Sequence, residues 1–492
     1  MRILLGSSEV HPYSKTGGLA DMVGALGKAL AQAGHQVGIV TPLYAGIRER
    51  FPEMVKLDWH MDLPLGPRHV QGEVWTLTPS PQLTIYFVHQ PEFFFRSGLY
   101  QQAGGVDYPD NDERFIFFSK AVVHLARYLP WRPEIVHVHD WQTGLVPILI
   151  QHQALQEGWG NRPRLCFTIH NLAYQGIFPG PQYALANLPP DYFNPNGLEY
   201  HSMLNCLKAG IAYADAITTV SPRYAREITT PEFGCGLDGL LRKRQTSLTG
   251  ILNGVDYEEW NTTHNPMLPH PYSARNLAGK ELDKVALQKE LGLPTDAGVP
   301  LFGSITRLAD QKGLDIQLGA LEEMLSSGIQ FALLGSGSPI YEKAYQTLAR
   351  RHPGKVAIRI GFNQGLSHRI EAGSDFYLMP SRFEPSGLNQ MYSLRYGTIP
   401  IVRVTGGLDD SVIDISEDAD KANGIKFTAY TARALAKSMR KSLVLYGEPE
   451  LLRHYRWNAM TADFSWNRAV EQYMKVYSNN WGLRPSAVSI QR

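Results

Sequence analysis

Three observations predict an α/β chain of two doubly wound domains, each a parallel sheet covered by helices on both faces. Short apolar runs alternate with helix-forming stretches throughout the 492 residues. The rhythm restarts at Leu301-Phe302-Gly303-Ser304-Ile305. Glycine and polar residues follow the apolar runs, and open α/β sheets hold their ligands outside those carboxyl ends.

In the first half the expected strands are Ile3–Leu5, Val37–Val40, Ile85–Val88, Ile135–His139, Leu165–Ile169 and Ala216–Val220. The first leads to Lys15-Thr16-Gly17-Gly18-Leu19-Ala20-Asp21 and a helix-forming run from Met22 through Ala33. Paired glycines let a backbone approach a ligand, and a helix start aims free N–H groups and a positive dipole end at it. Lys15 adds a full charge. The segment fits a metal-free phosphate site, or a glycine turn for packing beside a solvated lysine. It is neither the G-x-G-x-x-G fingerprint nor a P-loop.

The second half repeats the design with Leu301–Ile305, Phe331–Leu334, Val356–Ile360, Phe376–Met379 and Ile399–Val402. Asn261 to Tyr272, rich in Pro, His and Asn, reads as a surface connection. The expected domains are 1–255 and 256–463. A final amphipathic helix within 464–492, from about Phe464 to Trp481, returns to the first domain with Tyr473, Val476 and Tyr477 on one side.

Composition narrows the function. Lys plus Arg number 47 against 46 Asp plus Glu, so nucleic acid and anionic membranes lack the basic excess they call for. No apolar run approaches a membrane span, and Glu9 and His11 come too early for a signal-peptide core. Cys166, Cys206 and Cys235 are odd in number and far apart. They read as reduced, mostly buried thiols of a soluble cytoplasmic protein, with no disulfide framework or zinc site.

The chemistry collects at strand ends. Arg307 and Lys312, five residues apart across a strand-to-helix turn, suit the charge that grows on a diphosphate leaving group. Glu384, in Arg-Phe-Glu-Pro-Ser-Gly-Leu, precedes a helix expected to start near Ser386–Leu388. Its carboxylate suits sugar hydroxyls or a positive sugar carbon, or else a capping or ion-pair role. His137-x-His139-Asp140 looks like a metal pattern, but no second cluster at ligand spacing supports it. Buried histidines with Asp140 at a cleft edge are the preferred reading. His170 and Asn171 end another strand as cleft-lining groups, or His170 is satisfied in the core. The stretch Phe93-Phe94-Phe95 through Tyr100, Asp107-Tyr108-Pro109-Asp110-Asn111 and Arg114-Phe115 suits carbohydrate or core packing.

With those residues in hand, the chain resembles the bacterial glycogen synthases and plant-type starch synthases. The blocks Lys15–Asp21, Asp107–Asn111, Val136–Trp141, His170–Gly176, Leu252–Asp256, Ser381–Pro385 and Thr405–Leu408 occur in order over nearly the whole length. The resemblance implies two Rossmann-like domains facing across a cleft, the GT-B fold. It implies transfer of glucose from ADP-glucose to the non-reducing end of an α-1,4-glucan, with retention and with no metal or other cofactor. Lys15, Gly18, Arg307 and Lys312 would hold the donor phosphates, with Asp21 in the same block. Glu384 would support the oxocarbenium-like transition state. Asp140, Asn171 and the main chain of His170 would line the sugar site. Ser386, Gly387, Leu388 and Asn389 would meet the diphosphate through backbone amides and a hydroxyl, and Phe362 would stack near the adenine.

Two departures stand out: Ser386 where the family usually has Cys, and Phe362-Asn363-Gln364 where it often has Tyr-x-Glu. Related sucrose-type enzymes carry a second Glu eight residues after the first, and here that position is Tyr392. The mechanism expected is front-face displacement, the departing diphosphate accepting the acceptor's proton. The alternatives are a glycoside hydrolase or phosphorylase on the same polymer, and a non-catalytic glucan-binding relative.

Overall fold

The computed structural model describes residues 1–102 and 105–479. The chain divides into two compact units: Met1–Val220 with Ala225–Gly254 and the segment from Trp466, and Ser221–Tyr224 with Val255–Ser465.

Among the described residues, the main sheet of the first unit has nine strands. Their order is Leu248–Gly250, Ala216–Thr219, Arg164–Ile169, Ile135–His139, Arg2–Gly6, Gln36–Pro42, Leu83–His89, Arg68–Ser80 and Val55–Leu65. The first seven pair in parallel. Apart from the edge strand Leu248–Gly250 their middles are buried, as a sheet covered on both faces requires.

The last two strands correct the all-parallel expectation, because Val55–Leu65 and Arg68–Ser80 form an antiparallel hairpin against Leu83–His89. The hairpin is half-exposed, and its apolar residues Met61, Leu63 and Leu65 alternate with His60, Asp62 and Pro64. A search for continuous apolar runs passes over such strands.

The second unit's main sheet is parallel throughout: Val356–Ile360, Gln330–Gly335, Leu301–Ile305, Phe376–Met379, Ile399–Arg403, Ile425–Phe427. Numbered along the chain this is 3-2-1-4-5-6, the doubly wound order whose winding reverses between the first and fourth strands. Alternate residues feed opposite faces. Phe302, Phe331, Leu333, Phe376 and Ile401 pack with Leu321, Leu435 and Met439 of the helices Leu314–Met324 and Ala432–Tyr446. On the other face Leu301, Ala332 and Leu334 pack with Leu287 and Ile370 of the helices Ala278–Leu291 and Gln364–Gly373.

The final helix, Trp466–Ser478, buries Tyr473, Val476 and Tyr477 within the first unit. The Tyr477 hydroxyl lies 2.7 Å from His137 Nδ1. Of the cysteines, Cys166 and Cys206 are buried, and Cys235 is exposed.

Phe93, Phe94 and Phe115 belong to the core. The polar residues around them pin the loop. Arg114 is fully buried and donates to Phe93 O at 2.7 Å, Asn111 Oδ1 at 2.6 Å and Leu99 O at 2.9 Å. Arg114→Met keeps the apolar stem and leaves three acceptors without that donor. Urea unfolding followed by tryptophan fluorescence should show a loss of about 2 kcal/mol or more, the scale of one or two unsatisfied buried groups.

Candidate functional site

In the second unit the winding reversal gathers the chemistry. The strands Leu301–Ile305 and Phe376–Met379 pair at Phe302–Phe376 and Gly303–Tyr377. Beyond that point their loops leave toward opposite faces and open a crevice. Arg307 and Lys312 follow one strand, and Glu384 follows the other.

The two loops are bound to each other. Arg382 N–H donates to Gln311 O at 2.8 Å, and the Gln311 amide to Phe383 O at 3.2 Å. Gly313, at φ 68°, takes the turn after Lys312, and a Cβ there would meet Pro380 O at 2.1 Å. The Lys312 ammonium consequently reaches Glu384 Oε2 at 2.7 Å. Ser381, fully buried, donates to the same oxygen at 2.9 Å. Among the described residues no hydrogen bond reaches the other oxygen, Oε1.

The backbone of Glu384 is fixed as firmly. Gly407 N–H donates to Glu384 O at 3.1 Å and to Pro385 O at 3.0 Å. Gly406 has φ 43°, and a Cβ there would stand 2.0 Å from Glu384 O. The Thr405-Gly406-Gly407 block is thus the floor under the Glu-Pro-Ser loop. The helix after that loop is Asn389–Arg395, one residue later than expected. Ser386, Gly387 and Leu388 lie in its approach, with Ser386 O accepting from Gln390 Nε2 at 2.9 Å. The Asn389 carboxamide turns inward to Ile305 O.

Arg307 is exposed and its loop is held, with Leu308 N–H donating to Ser336 O at 2.9 Å. Phe362 is 82% exposed, between the strand Val356–Ile360 and the helix capped by Asn363. Tyr392 lies flat on Trp260, ring centres 3.6 Å apart and planes 6° from parallel.

The first unit has its own reversal, between the strands Arg2–Gly6 and Ile135–His139. After Arg2–Gly6 the helix starts at Gly18, four residues ahead of the expected Met22. The loop before it is shaped by Glu9, which is buried and accepts Thr16 Oγ1 at 2.6 Å, Gly17 N–H at 3.2 Å and the Tyr100 hydroxyl at 2.7 Å. Lys15 pairs with Asp21 at 2.7 Å, both partly exposed. Such a pair is weak and open to exchange for a ligand anion.

Asp140 ends the strand Ile135–His139 at φ 57° and ψ −176°, outside ordinary strand geometry. This turns its Oδ1 onto His170 N–H at 2.7 Å. Asn171 Oδ1 accepts Ala173 N–H at 3.1 Å.

The histidines are interior groups. His137 uses both ring nitrogens, on Tyr477 and on Thr168 Oγ1 at 2.6 Å, and His139 Nδ1 lies 3.2 Å from His170 Nε2. Burial holds His137 and His170 down at about 3 and His139 well below the usual range, so all are neutral. Among the described residues no group of three or more His, Cys, Asp or Glu is placed to hold a metal ion. No helix there is long and apolar enough to cross a membrane.

Sequence reasoning missed Glu9, Ser381 and Tyr377. Glu9 carried a signal, an acid just ahead of the glycine loop, and Ser381 opens the Glu384 block. Tyr377 looks like any strand aromatic.

A parallel sheet of 3-2-1-4-5-6 order, with a Lys–Glu pair and an arginine at its reversal, defines a doubly wound domain with a charged ligand crevice at its switch point. Residues 2–243 match the starch synthase catalytic domain family and residues 288–459 match glycosyl transferases group 1. A glycogen synthase of Anaeromyxobacter sp. (strain Fw109-5) is 48% identical over 97% of this chain and 99% of its own length. The catalytic domain of starch synthase IV from Arabidopsis thaliana, solved bound to ADP and acarbose, superposes with TM-score 0.90 at 34% identity, covering 98% of this chain and 99% of that one. Sucrose-phosphate synthase from Thermosynechococcus elongatus shares the fold, with TM-score 0.59 at 18% identity over 97% and 98% of the two chains. The chain is therefore a glycosyltransferase of GT-B fold. It belongs to the glycogen synthase and starch synthase family, whose members synthesise α-1,4-glucan.

Burial, and after it the charge of Glu9, pushes the Asp140 carboxyl up to about 7, against the N–H of His170. An unfolded aspartate titrates near 3.9. Between these values the folded chain holds a proton that the unfolded chain releases, so stability falls as pH rises across that window, by up to about 1.4 kcal/mol per pH unit. Unfolding free energies of wild type and Asp140→Asn, measured from pH 4 to 8, should show this slope as their difference. It should level off above pH 7.

Proposed function

We propose that the chain transfers glucose from ADP-glucose to the non-reducing end of an α-1,4-glucan, with retention of configuration and without a metal ion. The observation that carries this reading is the Glu384–Lys312 contact of 2.7 Å beside the Arg307 loop. The pair supports the reading because a carboxylate suits positive charge growing on a sugar carbon, and Lys312 with Arg307 suits negative charge growing on a leaving diphosphate. That the starch synthase IV structure was bound to ADP and acarbose supports the donor and the glucan acceptor.

In this reading the bond from the glucose anomeric carbon to the diphosphate oxygen breaks first. The acceptor's 4-hydroxyl then forms the new bond on the same face. Its proton passes to the departing phosphate oxygen, so charge and atoms balance without a protein nucleophile. Arg307 and Lys312 hold that phosphate. At the first unit's own reversal Lys15 and the Gly18 amide suit a phosphate, with Asp21 steadying Lys15. The amides of Gly387, Leu388 and Asn389 and the Ser386 hydroxyl complete the donor cradle, and the exposed ring of Phe362 stacks on the adenine. Asp140, Asn171 and the His170 main chain receive the glucose. A nucleotide-sugar donor fits a cytoplasmic setting, with neither nucleic acid nor membrane as partner.

Incorporation of labelled glucose into glycogen and amylopectin, from ADP-glucose and UDP-glucose side by side, tests the reading. Release of glucose or glucose phosphate without polymer growth would overturn it, and so would turnover abolished by EDTA and restored by a divalent cation. Glu384→Ala should lower kcat by at least ~10²-fold with an unchanged circular dichroism spectrum. Arg307→Ala and Lys312→Ala should lower kcat on a similar scale, because the charge they meet develops only as the bond breaks. An effect confined to KM would make them ground-state binders only.

A further inference from the structure

The strand Leu301–Ile305 loses its partner on one side just where the site begins. Its pairing with Phe376–Met379 is in register at Phe302–Phe376 and Gly303–Tyr377. On the other side the ladder runs on through Ile305–Leu334. The N–H and C=O of Ile305 therefore face a gap, and unmet backbone groups in a buried place are costly.

Two side chains fill that gap. Tyr377 is buried to 1% exposure, and its hydroxyl accepts Ile305 N–H at 2.8 Å and lies 2.9 Å from Ile305 O. The Asn389 carboxamide donates to Ile305 O at 2.8 Å and to the Tyr377 hydroxyl at 2.7 Å. The pair takes the place of the missing strand.

Its position matters for the reaction. Ile305 is two residues before Arg307, whose other side is pinned by Leu308 on Ser336. Asn389 is five residues after Glu384 and begins the helix behind the Glu-Pro-Ser loop. One carboxamide thus joins the element carrying Arg307 directly to the element carrying Glu384. Ser393 secures that helix from beneath, donating to Glu371 Oε2 at 2.6 Å and Asn389 O at 2.8 Å.

We propose that Tyr377 and Asn389 are positioning residues that set the Arg307 loop against Glu384 across the winding reversal. The inference rests on the proposed role of Arg307 in transition-state charge neutralisation. Asn389 then has a role in its side chain distinct from any amide contact to the diphosphate.

Tyr377→Phe removes one hydroxyl and keeps the ring. It should lower kcat by an amount on the order of 10²-fold, the scale of a misplaced reacting group, with KM for ADP-glucose unchanged. Asn389→Asp, isosteric but unable to donate to Ile305 O, should do the same, whereas Asn389→Gln should regain part of the rate. The decisive measurement is a double-mutant cycle. Tyr377→Phe added to Arg307→Ala should cost nothing further, because the group it positions is gone. Losses that multiply, a wild-type kcat in both Tyr377→Phe and Asn389→Asp, or a change in KM alone would overturn the positioning role. A near-normal Arg307→Ala enzyme would overturn the charge-neutralising reading itself and remove the basis for the coupling. Should Tyr377→Phe fail to fold, the same cycle run with Asn389→Asp decides the question.

Discussion

The reversal of winding between the strands Leu301–Ile305 and Phe376–Met379 is the constraint on which the Lys312–Glu384 site depends. Two parallel strands can diverge there only if something else meets their backbone groups and ties their loops together. Tyr377 and Asn389 do the first for Ile305, and Gln311 and Gly313 do the second. Once the loops are locked, a lysine on one and a glutamate on the other must meet. The sheet order sets the two loops side by side, and the side chains of Lys312 and Glu384 close the remaining gap to 2.7 Å.

The first unit reaches a similar end with opposite electrostatics. Its reversal is lined by carboxylates and neutral imidazoles. Glu9 uses its charge on Thr16, Gly17 and Tyr100, which shapes the glycine loop, and Asp140 is bent onto the His170 main chain. Burial raises the Asp140 carboxyl and keeps His137 and His170 neutral.

Much of this was readable in the sequence because strand ends are dictated locally. An apolar run of four or five residues followed by Lys, Arg, Glu or Gly shows where the chain leaves a buried sheet. Arg307, Lys312, Glu384 and Asp140 could be placed at strand ends on that ground alone. The residues that hold them could not. Tyr100 meets Glu9 from 91 residues away, and Tyr377 meets Ile305 from 72. No periodicity or composition carries such a pairing. The hairpin Val55–Leu65 and Arg68–Ser80 was missed for a different reason, since a half-exposed strand is only half apolar. The aromatic stretch after Phe93 left two readings open, and a fully buried arginine bonded to loop carbonyls puts Phe93, Phe94 and Phe115 in the core.

The departures from the family pattern fall on side-chain tips, and the backbone explains why the fold accommodates them. Ser386 stands where a cysteine is usual, yet its place is set by its own carbonyl, which Gln390 holds, and by Gly407 beneath the neighbouring Glu384 and Pro385. Among the described residues its hydroxyl bonds only to Gly387 O, at a long 3.3 Å, so little of the local structure depends on the atom that differs. Phe362 lacks a tyrosine's hydroxyl, but its exposed ring stands on a loop whose next residue caps a helix. Tyr392, where sucrose-type relatives carry a glutamate, is no departure from the family pattern, and its ring stacks on Trp260. Where geometry is carried by main-chain bonds and close packing, a tip can change while the loop that presents it stays where the sheet puts it.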